Sequence, residues 1–124
     1  MKQSPIDQPL FDPVQILLLR DALGEEDLCA MLSEFPGAAG GAYHKISAAL
    51  QSNNLEEVRR LAHAFKGVAG SFGAARLAAI AVELELEATS IASIVQRMPA
   101  LADAIDQTLA ALPGVERAPL GATA

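Results

Sequence analysis

The stretch Leu61-Ala62-His63-Ala64-Phe65-Lys66-Gly67-Val68-Ala69-Gly70-Ser71-Phe72-Gly73-Ala74 decides how this chain is read. Wound as a helix at about 100° per residue, it separates into two faces. Together with the residues just upstream, Leu55, Val58, Leu61, Ala62, Phe65, Val68, Ala69 and Phe72 fall within roughly 80° of one direction and make a wide apolar stripe. His63, Gly67 and Gly70 lie within about 40° of the opposite direction, with Lys66 beside them. A single imidazole therefore stands on the wet side of a helix, next to one cation and two residues without side chains. A helical glycine costs roughly 1 kcal/mol against alanine. Two of them one turn apart beside a histidine imply that something needs the space.

Working outward, Ser52-Asn53-Asn54 is a turn whose asparagines suit the cap of this helix, and Gly70 and Gly73 bracket its end. Upstream, Asp12-Pro13 reads as a helix start and Gly24 as its stop. Val14, Leu17 and Leu18 are expected to face the core there, with Ile16 and Leu19 off that face. Glu25, Glu26 and Asp27 open a second helix carrying Leu28, Met31, Leu32 and Phe35, which ends before Pro36. The glycine-alanine run from Gly37 to Gly41 is expected to be a loop, followed by a helix from Ala42 to about Gln51 with Tyr43, Ile46, Ala49 and Leu50 inward. Downstream, a segment from Ala74 to about Thr89 presents Leu77, Ile80 and Leu84. The last helix is expected over roughly Ile91 to Leu112, with Pro99 either kinking it or marking its start, and Pro113-Gly114 ending it.

No strand pattern, internal repeat or low-complexity tract interrupts this series. Short connections make successive helices antiparallel, so the expected fold is all-α, an up-down-up-down four-helix bundle with short extra N-terminal helices. Residues 1–11 read as an irregular leader, 12–112 as the bundle and 113–124 as a flexible tail. At 124 residues this is one domain by size. No apolar run approaches the ~20 residues needed to span a bilayer, and no secretory leader is visible, so a cytoplasmic protein is expected. Cys29 is the one cysteine and cannot form an internal disulfide.

A net charge of −6 argues against nucleic acid as a partner. The charge is uneven: between Val58 and Ile80 stand Arg59, Arg60, Lys66 and Arg76 with no acid among them. Positive charge is therefore expected around His63, where an anion would be welcome. A neutral imidazole is a competent nucleophile. His63 lacks a neighbouring base, a serine or thiol partner, or a second ligand at metal spacing, His44 being too distant in sequence. Such a group is suited to accept something from a site that another protein builds. A phosphoryl fits best: Lys66 at i+3, and Arg59 and Arg60 at i−4 and i−3, can all reach toward it. Gly67 and Gly70 would let a partner close over the ring. Glu83, Glu85 and Glu87 read as a solvated edge, since residues two apart on a helix do not face each other.

The set His63-Ala64-Phe65-Lys66-Gly67, Gly73-Ala74, Leu77 and Glu83-Leu84-Glu85 resembles the histidine phosphotransfer (HPt) domain of multistep two-component phosphorelays. The resemblance spans roughly residues 12–112. It implies that His63 is the phosphoacceptor through Nε2, that Lys66 stabilises the phosphoryl group and that Gly67 permits docking of a receiver domain. It also implies a polar residue supporting the histidine, in the region of Glu85, where a carboxylate facing the phosphoryl group would repel it. The partners implied are receiver domains and a histidine kinase. The receiver supplies Mg²⁺, and the chain carries no cofactor of its own. Gly70, Arg59 and Arg60 join the expected docking residues. Ile16 and Leu19, lying off the expected core stripe, are candidates to extend that face. A monomer is expected, without membrane or nucleic-acid contacts. The rival reading is a structural or adaptor bundle whose glycines only permit close helix packing. A histidine kinase would need an ATP-binding domain that 124 residues cannot also hold.

Overall fold

Asp12 and Pro13 start the first long helix as their chemistry dictates. The Asp12 carboxylate accepts from the amides of Val14 and Gln15, and Pro13 occupies the first turn, where its missing N–H goes unneeded. In the computed structural model, which describes residues 4–117, six helices follow one another. They are α1 (Pro13–Leu23), α2 (Glu25–Ser33), α3 (Phe35–Gln51), α4 (Leu55–Ser71), α5 (Ala75–Val82) and α6 (Ile91–Arg117). A π-helical turn, Glu83–Glu87, extends α5. Gly24 breaks α1 from α2 at φ +86, a left-handed conformation cheap only for glycine. Asn54 caps α4 by accepting from the Glu57 amide.

The bundle is α3, α4, α5 and α6, with α4 packed between α3 and α5 and α6 closing against both α3 and α5. Its core holds Ile46, Val58, Ala62, Phe65, Leu77, Leu84, Ile94 and Leu101. Phe35 is fully buried and meets Phe11 and Phe72 edge-on at centroid distances of 6.2 and 5.0 Å, which ties the leader and the end of α4 to the start of α3. The all-α bundle with added N-terminal helices is the architecture expected from the helical periodicities.

Several local expectations are corrected. The run Gly37–Gly41 is not a loop but part of α3. Pro36 sits in the helix's first turn, and burial of Phe35, Ala39 and Ile46 holds the glycine-rich turns helical despite their entropy cost. The faces of α1 are reversed: Ile16 and Arg20 are buried and Leu19 packs on the core, while Val14, Leu17 and Leu18 are exposed. The cause is how α1 is pinned. The Asp12 amide donates to the Gly73 carbonyl at 2.8 Å, and Gln15 Nε2 to the Gly70 carbonyl at 2.6 Å, which turns Ile16 onto Gly73. Gly73 has φ +74, and a Cβ there would stand 3.1 Å from Ile16 Cδ1.

Nor does Pro113-Gly114 end the last helix. α6 runs to Arg117 with Pro99 and Pro113 both inside it on its exposed side. The carbonyls near its C-terminus are satisfied from other helices: Arg20 Nη2 donates to Val115 O at 2.6 Å and Cys29 Sγ to Glu116 O at 3.4 Å. The expected leader contains a 3₁₀ turn, Pro5–Asp7, and a buried Phe11. The remainder of the expected tail, from 118 onward, lies outside the described residues.

Candidate functional site

α4 presents His63 halfway along its length, with 63% of the side chain exposed. One and two helical turns on, Gly67 and Gly70 leave the surface bare, and a Cβ on either would meet nothing within 4 Å. Among the described residues, neither glycine is required by helix packing. That removes the footing of the adaptor reading, in which the glycines serve internal packing.

The imidazole is held from the next element. His63 Nδ1 lies 2.8 Å from Glu85 Oε2, and Lys66 Nζ lies 3.6 Å from Glu85 Oε1. Glu85 sits in the π turn, 18% exposed, and its Oε1 has no hydrogen-bond partner besides this longer ion pair. An ionised carboxylate can only accept, so this bond requires the proton on Nδ1, and in the neutral imidazole it leaves the lone pair on Nε2. The Glu85 bond engages Nδ1 and not Nε2. The two ring nitrogens point in different directions, so Glu85 stands behind the ring rather than against a group on Nε2.

This corrects the reading of the three glutamates as a solvated edge. Glu85 holds the histidine, and Glu83 lies 3.6 Å from Arg97 of α6. A regular helix would point Glu83 and Glu85 apart, as expected. The wider π turn ends α5 at this place, with the Ala88 amide bonded to the Glu83 carbonyl, and delivers Glu85 to α4.

The expected ring of free cations is also reduced. Arg59 donates to the Ala88 carbonyl at 3.4 Å, closing the π turn onto α4. Arg60 is bound by both oxygens of Glu57, at 2.8 and 2.6 Å. That hydrogen bond holds the Glu57 carboxyl below the usual carboxylate range and raises Arg60 above its own. Arg76 belongs elsewhere: it donates to Gln8 O and Gln107 Oε1, joining the leader to α6. Of the four cations, Lys66 is the one facing the histidine's partner, while Arg59, Arg60, His63, Glu85 and Leu86 line one shallow concavity.

The chain thus offers an exposed imidazole oriented through Nδ1, one ammonium beside it, and a cleared helix face. Among the described residues no cluster of three or more His, Cys, Asp or Glu is arranged to hold a metal ion. No helix among them is long and apolar enough to cross a membrane.

Comparison with known proteins bears on what this arrangement serves. A family model described as "Hpt domain" matches residues 30–112. The phosphorelay protein LuxU of Vibrio cholerae serotype O1 is 36% identical over 76 residues, which is 61% of this chain and 67% of that protein. The crystal structure of histidine-containing phosphotransfer protein B (HptB) from Pseudomonas aeruginosa PAO1 is similar at a TM-score of 0.68 and 27% identity, covering 90% of this chain and 94% of that one.

Proposed function

This chain belongs to the Hpt domain family and carries phosphoryl groups in a phosphorelay, and we propose that His63 is the residue that carries them, taking the group on Nε2 from the phosphoaspartate of a receiver domain. The observation that supports this is the pairing of His63 Nδ1 with Glu85 at 2.8 Å, which leaves Nε2 outside that bond on a helix surface that Gly67 keeps open. The Nε2 lone pair attacks phosphorus in line with the aspartyl oxygen. The P–O bond breaks, its electrons return to the aspartate, and the reverse step delivers the group to a second receiver. Lys66 reorients from Glu85 toward the transferring oxygens and offsets their charge. The receiver supplies Mg²⁺ and the rest of the transition-state stabilisation, so the chain is a carrier and its partner completes the chemistry.

Receiver domains and a histidine kinase are its partners. The receiver's docking face is proposed to run from Gly67 and Gly70 onto the exposed strip Val14, Leu17 and Leu18 of α1, which is fastened to the Gly70 carbonyl through Gln15. This replaces Ile16 and Leu19, which are taken up by packing. Arg59, Arg60 and Leu86 border the ring on another side. The exposed nucleophile and open notch suit a monomer working in the cytoplasm, without nucleic-acid or membrane contacts. Incubating the chain with a phosphorylated receiver domain and Mg²⁺ tests the reading. Acid-labile label on the wild type and none on His63→Gln is expected; equal label on both would overturn it.

A further inference from the structure

Resting on His63 as the acceptor, we infer that the Glu85 carboxylate keeps the Nδ1 proton on the phosphorylated ring, so that this chain holds its phosphoryl group as a labile phosphoimidazolium. The geometry carries the argument. Glu85 Oε2 is 2.8 Å from Nδ1, and the carboxylate is four-fifths shielded from water, where a charged hydrogen bond is strong and weakly screened. When Nε2 gives its lone pair to phosphorus, the ring becomes a cation bearing Nε2–P and Nδ1–H. That positive charge then stands against Glu85. On transfer to the next receiver the P–N bond breaks, the electron pair returns to Nε2, and the Nδ1 proton has never left. The phosphoryl group moves in and out with no proton exchanged with solvent.

The surrounding charges do not supply this function. On α4, Arg59 faces the Ala88 carbonyl, Arg60 is bound by Glu57, and Lys66 faces the other Glu85 oxygen. On the π turn, Glu83 faces Arg97 of α6, and Glu87 is its remaining acid. Glu85 bonds the imidazole directly, at Nδ1. A glutamine of the same shape would differ in one decisive respect. Its amide can turn to donate to an unprotonated Nδ1, which stabilises the neutral phosphoimidazole, and neutral phosphoimidazole loses phosphoryl more slowly because imidazole must then leave as an anion. An ionised glutamate cannot make that switch.

The test uses the full chain, loaded on His63 with phosphoramidate and held in mildly alkaline buffer. For Glu85→Gln we expect a phosphohistidine half-life longer by roughly tenfold, the change equivalent to one unit of proton affinity. Ring ¹⁵N–¹H correlation spectra should show Nδ1 protonated in the phosphorylated wild type and unprotonated in the variant. Glu83→Gln, in the same turn, should keep the wild-type half-life. Equal half-lives and equal Nδ1 signatures in wild type and Glu85→Gln would overturn the inference, as would the same lengthening in Glu83→Gln. Label that persists equally on His63→Gln would instead remove His63 as acceptor, and this inference with it.

Discussion

At the scale of single residues, the clearest consequence concerns Gly67. Since a Cβ there meets nothing, Gly67→Ala should stabilise α4 by about 0.5–1 kcal/mol and raise the melting temperature. Gly67→Leu should keep the fold and slow transfer from a receiver by roughly a hundredfold, the usual cost of a small misplacement of reacting atoms. Unchanged transfer in the leucine variant would take the glycine out of the mechanism. That His63, Lys66 and Gly67 share one helix surface was legible in the sequence, because all three lie on α4, where spacing alone determines their faces. Glu85 was not. It comes from another element 22 residues on, and the π turn that aims it breaks the spacing rule that made it look solvated. In the proposed mechanism its bond to Nδ1 answers the objection that a carboxylate here would repel phosphate, because the group would sit on the other ring nitrogen.

At the scale of elements, caps and faces separate stability from docking. Asn54→Ala removes the bond to the Glu57 amide and should cost about 1 kcal/mol, measured by chemical denaturation, with transfer per folded molecule unchanged. The paired change Leu17→Ser and Leu18→Ser alters side chains that are 53% and 63% exposed. It should shift stability by less than about 1 kcal/mol yet weaken receiver binding in calorimetric titration. Undiminished binding would show that α1 lies outside the interface. The caps of α1 and α4 could be read from Asp12 and Asn54 because capping is a local matter of side-chain acceptors and free amides. The orientation of α1 could not be: Val14, Ile16, Leu17, Leu18 and Leu19 surround the helix with apolar groups, and the decision falls to Gln15 and Asp12 bonding to residues 70 and 73. The helical turns at Gly37–Gly41 were likewise hidden, since their glycines favour a loop locally and only burial of Phe35 and Ala39 overrules them.

At the scale of the whole molecule, an acidic helical bundle holds His63 at its surface and places the Glu85 carboxylate behind it. The bundle itself was readable from helical periodicity and short connections, because its core follows the apolar stripes of α4 and α5 residue by residue. The extent of α6 was not, because its last turns depend on Arg20 and Cys29, which approach its terminal carbonyls from helices far back in the chain. A carrier must also give up what it takes. The most direct measurement therefore starts from the chain loaded on His63 by phosphoramidate and adds an unphosphorylated receiver domain with and without Mg²⁺. The expected result is rapid loss of label from His63 with matching label on the receiver's aspartate, only when Mg²⁺ is present. Loss of label at the same rate with and without the receiver, and none appearing on it, would contradict the account.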